Sequence, residues 1–167
     1  MLCLIHRVSS ILVKTDNKLK RRRWLTAYAP LFIWVVVIID LGSGMGAVNE
    51  TSRIIRPLLE FLFHGALPET LSIYHGYIRK FAHFAEYAVL AFLAYRAFNP
   101  RRPFLFSFLL VALVAIADET NQSFINTRTA SPYDVLLDIS GGVAMLFAIW
   151  LVRRQRSVVE NQPLNHA

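Results

Sequence analysis

Residues 103–122 read PFLFSFLLVALVAIADETNQ, an apolar run broken only by Ser107 that stops on the paired carboxylates of Asp118 and Glu119. A helix rising about 1.5 Å per residue needs about 20 residues to cross a hydrocarbon core about 30 Å thick, and this run supplies them. Three further runs of similar character lie outward from it, at residues 24–41, 81–98 and 134–152. The expected fold is therefore all-α: a polytopic membrane protein with a bundle of four transmembrane helices. Each run carries polar or ionisable residues at one end and a basic cluster near the other. Ionisable groups inside a membrane are costly, and they default to a functional hypothesis.

Of the 167 residues, 55% are hydrophobic and only 17% are charged. A soluble domain of this size could not bury four such runs. The expected organisation is one membrane domain, residues 24–152, between tails at 1–23 and 153–167. A net charge of +7 would suggest nucleic acid in a soluble protein, but the cations flank the apolar runs, so no nucleic-acid partner is expected. The single cysteine, Cys3, excludes an internal disulfide. Arg21, Arg22 and Arg23 before an apolar run fit the layout of a signal peptide. The long segment ahead of them and the lack of a nearby small-x-small site favour a retained helix.

Charge sets the orientation. Of the 18 lysines and arginines, all but Arg53, Arg56, Arg79, Lys80 and Arg128 fall on the side of the two tails and of the 99–102 link. The positive-inside rule then places both termini in the cytoplasm of a multi-pass protein of the cytoplasmic membrane. Of the 11 acidic residues, only Asp16 and Glu160 share that side.

The connections differ in length. The short link at residues 99–102, with Pro100 inside it and Pro103 after it, implies an antiparallel hairpin. A short polar loop joins 123 to 133. The outer loop at 42–79 is long, and Gly42, Gly44 and Gly46 make its start flexible. Thr51 or Ser52 is expected to cap a helix on which Ile54, Ile55, Leu58, Leu59 and Leu62 recur at helical spacing. That stripe suits an interfacial helix on the outer membrane surface, or packing against the bundle.

The chemistry-bearing residues sit on helix faces. Lys80, His83 and Tyr87 form one stripe, flanked by Glu86. Asp118 and Gln122 share a second face, with Glu119 turned by roughly 100°. Asp134, Asp138 and Gly141 share a third, and Gly141-Gly142 would admit a neighbouring helix closely. Histidine titrates near neutrality, and crowded carboxylates can share a proton. His83, Glu86, Asp118 and Glu119 are thus the candidates for acid–base work. Lys80 and Arg128 can hold an anionic group, with Gln122, Asp134 and Asp138 completing the substrate site. The structural alternative is an ion pair between Lys80 and Asp118, Glu119 or Asp138 that locks two helices. No zinc signature such as H-E-x-x-H is present, so no metal ligands are assigned and no cofactor is expected. A divalent cation on the clustered oxygens is the lesser option.

These strings, Arg79-Lys80-Phe81-Ala82-His83-Phe84-Ala85-Glu86-Tyr87, then Asp118-Glu119 with Gln122 and Phe124, then Arg128, then Asp134 with Asp138 and Gly141, are similar in order and spacing to those of the VanZ-like membrane family. The resemblance runs from about Val35 to Trp150. It departs at the outer end of the first span, where many relatives carry Ser-Ser and this chain has Asp40-Leu41-Gly42-Ser43-Gly44. The resemblance implies a small integral membrane protein, and the family's namesake is linked to resistance to the glycopeptide teicoplanin. It names no reaction.

The expected function is binding or modification of a lipid-linked or anionic substrate at the outer leaflet of the cell envelope. Membrane lipids and a lipid-linked cell-wall precursor are the expected partners, with the oligomeric state open. The alternatives are a non-enzymatic assembly or binding module and, behind it, a proton-coupled carrier.

Overall fold

The computed structural model describes residues 22, 24–42, 48–65, 67–99, 102–123 and 131–160, with the side chains of 48–54 and 158–160 left aside. The described residues form five helices: α1 (Trp24–Asp40), α2 (Val48–Leu62), α3 (Pro68–Phe98), α4 (Pro103–Ser123) and α5 (Pro132–Glu160). The protein is all-helical, as expected. α4 and α5 are long and apolar enough to cross a membrane, and α1 is a shorter apolar helix.

Two helices outrun the apolar stretches that announce them. α3 starts at Pro68, well before residue 81, so the described residues of the segment expected as a loop at 42–79 are largely helix. Pro68 is pre-organised for a first helical turn, and nothing but Gly76 weakens the helix between it and Phe81. With 31 residues α3 is about 46 Å long, longer than the hydrocarbon core is thick. α5 likewise continues to Glu160, past the expected end of the span at 152, because Arg153, Arg154, Gln155 and Arg156 are good helix formers. α2 begins at Val48, ahead of the expected cap at Thr51 or Ser52.

α3 is the central element and packs against α5, α4 and α2. The core is a cluster of Tyr87, Leu90, Ala91, Ala94, Tyr95 and Ala97 from α3, Val111, Val114 and Ala115 from α4, Leu146 from α5, and Leu31 and Ile38 from α1. The buried alanines of α3 let its neighbours approach closely, which is how helices associate where no hydrophobic force separates lipid from protein. The outside is apolar as well: Phe32 and Phe81 are each 71% exposed, and Leu113 is 65% exposed.

Two hydrogen bonds hold α1 on α3. The Trp34 indole Nε1 donates to the Glu86 carbonyl at 3.0 Å, and Arg96 Nη2 donates to the Thr26 carbonyl at 2.7 Å. Residue 34 thus meets 86 while 26 meets 96, so the two helices run antiparallel. α2 buries Leu59 and leaves Leu58, Phe61 and Leu62 exposed. Just beyond it Phe63 stacks on Tyr74 of α3, with ring centroids 5.0 Å apart.

Candidate functional site

Three helices bring one ionisable side chain each to a single point. His83 of α3, Asp118 of α4 and Asp138 of α5 place one ligand-type atom apiece within 4.8 Å of one another. Asp118 is 2% exposed and Asp138 3%. His83 Nδ1 stands 3.7 Å from Asp138 Oδ1 and 3.8 Å from Glu86 Oε2. His83 and Glu86 keep about a quarter of their side chains exposed, at 23% and 25%, so the cluster opens along that edge.

Glycines make the convergence possible. A Cβ on Gly141 would run into the main-chain carbonyl of Phe84, so α5 crosses α3 backbone to backbone, one residue past His83. Gly142 faces the other way, where a Cβ would come within 2.7 Å of the Val111 side chain on α4. The expected close approach at this glycine pair is therefore met on both sides. Gly42 is different from its expected role. It is buried in the widened turn that follows α1, and a Cβ there would overlap the Asp118 carboxylate. It serves contact, because only a residue without a side chain fits against that carboxylate. Gly44 and Gly46 lie outside the described residues.

The remaining sequence candidates fall in distinct places. Gln122 is buried one turn beyond Asp118 and donates Nε2 to Asp118 Oδ2 at 2.8 Å, which orients that carboxylate. Glu119 is half-buried, and its Oε1 accepts the main-chain N–H of Ser131, the residue just before α5. It ties the end of α4 to the start of α5 instead of joining His83. It also lines an open groove of about 440 Å³ with Ile116, Thr120, Ser123, Pro132 and Val135. Asp134 is half-buried in the first turn of α5, where a negative charge is favourable. Lys80 is exposed, one turn before His83 on α3. The carboxylates of Glu86 and Asp138 face His83, and no ion pair of Lys80 is found among the described residues. Arg128 and Phe124 lie outside the described residues.

Tyr87 is a residue whose place the sequence understated. It is the largest fully buried side chain, and among the described residues its hydroxyl has no hydrogen-bond partner. Its position one turn inward of His83 on the same face was visible in the spacing. Its complete burial was not, because that depends on α4 and α5 closing over it.

No curated protein and no solved structure matches the chain. A family model described as VanZ/LLP1 matches residues 26–153, a segment that contains His83, Asp118, Asp138 and the other residues that bear on the site. With most of its length so matched, and its motif residues gathered from three helices, the chain belongs to the VanZ/LLP1 family.

Proposed function

We propose that this is a four-span membrane protein of the cell envelope, with both termini cytoplasmic and α2 along the outer surface, whose His83 cluster binds or modifies a lipid-linked or anionic substrate at the outer leaflet. The observation that carries the reading is the meeting of four helices at one level: Gly42, just past the end of α1, against Asp118 of α4, with His83 of α3 and Asp138 of α5 beside them. The excess of cations on the tail side supports the orientation. The antiparallel contact of α1 with α3 is what alternating spans require.

In this reading the imidazole of His83 exchanges a proton, with Glu86 and Asp118 as its carboxylate neighbours. Lys80, exposed on the outward side, meets the anionic part of the substrate, with Arg128 as a second cation. Glu119, Gln122, Asp134 and Asp138 shape and polarise the pocket. Lipid-linked cell-wall precursors fit as substrates, because their reactive group sits at the membrane surface while their tail stays in lipid. A change in such precursors would alter glycopeptide susceptibility, teicoplanin included.

A second reading, a non-enzymatic module with a structural polar lock, draws on the Gln122–Asp118 hydrogen bond and on the Glu119–Ser131 contact. A proton-coupled carrier fits less well, since Leu90, Ala91 and Ala94 fill the core inward of the site.

Incubation of the purified protein with lipid-linked precursors is expected to give a mass change or retained precursor. His83→Gln should lose either result while folding normally. Unaltered and unbound precursor with wild-type protein would discard the substrate. Reporter fusions at Ala167 and near Ala130 are expected to report cytoplasmic and external positions, and an external C-terminus would overturn the orientation.

A further inference from the structure

We infer that His83, Asp118 and Asp138 form a binding site for one divalent transition-metal ion of the Zn²⁺ class. The donor set is one imidazole nitrogen and two carboxylate oxygens, all within 4.8 Å of one another. Such a mixed set suits first-row transition ions, since imidazole is a poor ligand for Mg²⁺ or Ca²⁺. Two ligands each about 2.1 Å from a tetrahedral ion stand roughly 3.4 Å apart. The 3.7 Å between His83 Nδ1 and Asp138 Oδ1 is close to that edge. The other separations are at most 4.8 Å, so they exceed the tetrahedral edge by no more than roughly 1.4 Å.

Asp138 supplies independent support. Its side chain is 4% exposed, and its Oδ1 has no hydrogen-bond partner among the described residues, yet that oxygen faces His83 inside the cluster. A buried carboxylate oxygen left in this state is costly unless something binds it. A metal ion placed between the three helices removes the cost. As ligands, one neutral imidazole and two carboxylates would carry two negative charges, the complement of a dication.

The surroundings are those of a metal site. Gln122 holds Asp118 through Oδ2 at 2.8 Å, the kind of outer contact that fixes a ligand's orientation. Three protein ligands leave a fourth position open, as in sites where the ion also meets water or substrate. The partly exposed edge of His83 and Glu86 gives an entry path to it. Because each ligand comes from a different helix, the ion would also clamp α3, α4 and α5 together. No local spacing motif could announce ligands drawn from positions 83, 118 and 138. The ion site uses the same side chains as the reading above without resting on its substrate; an imidazole that holds the ion through Nδ1 gives up the proton exchange assigned to it there.

The test uses the full chain in detergent, made without a histidine tag, stripped by a chelator and titrated with Co²⁺. About one Co²⁺ per chain is expected, with visible d–d absorption bands that Zn²⁺ then abolishes by displacement. Binding and bands are expected to disappear in His83→Gln and to persist in His75→Gln. Asp138→Asn replaces His83→Gln should the latter fail to fold, with the same loss expected. Folded wild-type protein that takes up no Co²⁺, or a folded site variant that binds it as the wild type does, would overturn the site.

Discussion

Gly141→Leu is expected to force α5 away from α3 and to abolish the folded protein in detergent. Even a single methyl group at this position would overlap the Phe84 carbonyl, which belongs to main chain and cannot swing aside. Inserting one methyl group into a packed interior costs about 1–3 kcal/mol. An isobutyl group at a backbone contact costs more, and it would also part Asp138 from His83. Gly76 is the matched control. It is exposed on α3, nothing lies within 4 Å of a Cβ there, and Gly76→Ala is expected to be neutral or to stabilise the helix by about 0.5–1 kcal/mol. Unfolding in detergent, followed by circular dichroism, measures both. Gly141→Leu with a wild-type midpoint would mean that α3 and α5 do not approach so closely.

Asp118→Lys is expected to be nearly as damaging, and Lys80→Asp in the same chain is not expected to rescue it. Asp118 is 2% exposed, against Gly42 and Gln122. A lysine there would drive a longer side chain against Gly42 and strand the Gln122 amide; overpacking of this kind costs about 1–3 kcal/mol and a stranded buried donor about 1–3 kcal/mol more. Lys80 lies exposed on the neighbouring helix, so reversing its charge relieves neither cost. The double variant should therefore unfold with the single Asp118→Lys variant, while Lys80→Asp alone folds as the wild type does. Recovery of stability in the double variant would establish an ion pair between the two positions and favour the structural lock.

Much of the fold was legible because long apolar runs leave a helix few alternatives. The limits of α4 match the run that announces it nearly residue for residue, since Pro103 starts it and polar residues follow Gln122. α3 was misjudged at its outer end for the opposite reason. Residues such as Thr70, Ser72, His75 and Arg79 carry no hydropathy signal, yet each is compatible with a helix once Pro68 has started one. The motif spacing correctly grouped residues within each helix, because 3.6 residues per turn fixes which share a face. It could not decide which faces meet. Periodicity sets Lys80 beside the acids just as it does His83, but Lys80 lies one turn away from the cluster and exposed. Glu119, adjacent to Asp118 in sequence, is turned by the helix toward Ser131. Gly42 was read for flexibility because its partner, Asp118, is distant in sequence and its burial is a property of the assembled helices.

The two bonds between α1 and α3 work as index marks on a pair of rulers. The marks on α1, Thr26 and Trp34, are about 12 Å apart along the axis, and those on α3, Glu86 and Arg96, about 15 Å. The reach of the arginine side chain takes up the mismatch. At each mark the acceptor is a main-chain carbonyl, so the identity of residue 26 or 86 does not set the alignment; the count of residues between the marks does. A substitution at Thr26 therefore leaves the alignment intact, whereas one residue inserted between Thr26 and Trp34 moves one mark by about 1.5 Å along the axis and about 100° around it. One of the two bonds must then be given up. The depth at which Gly42 reaches Asp118 is in this sense a measured length, counted from the basic end of the helices.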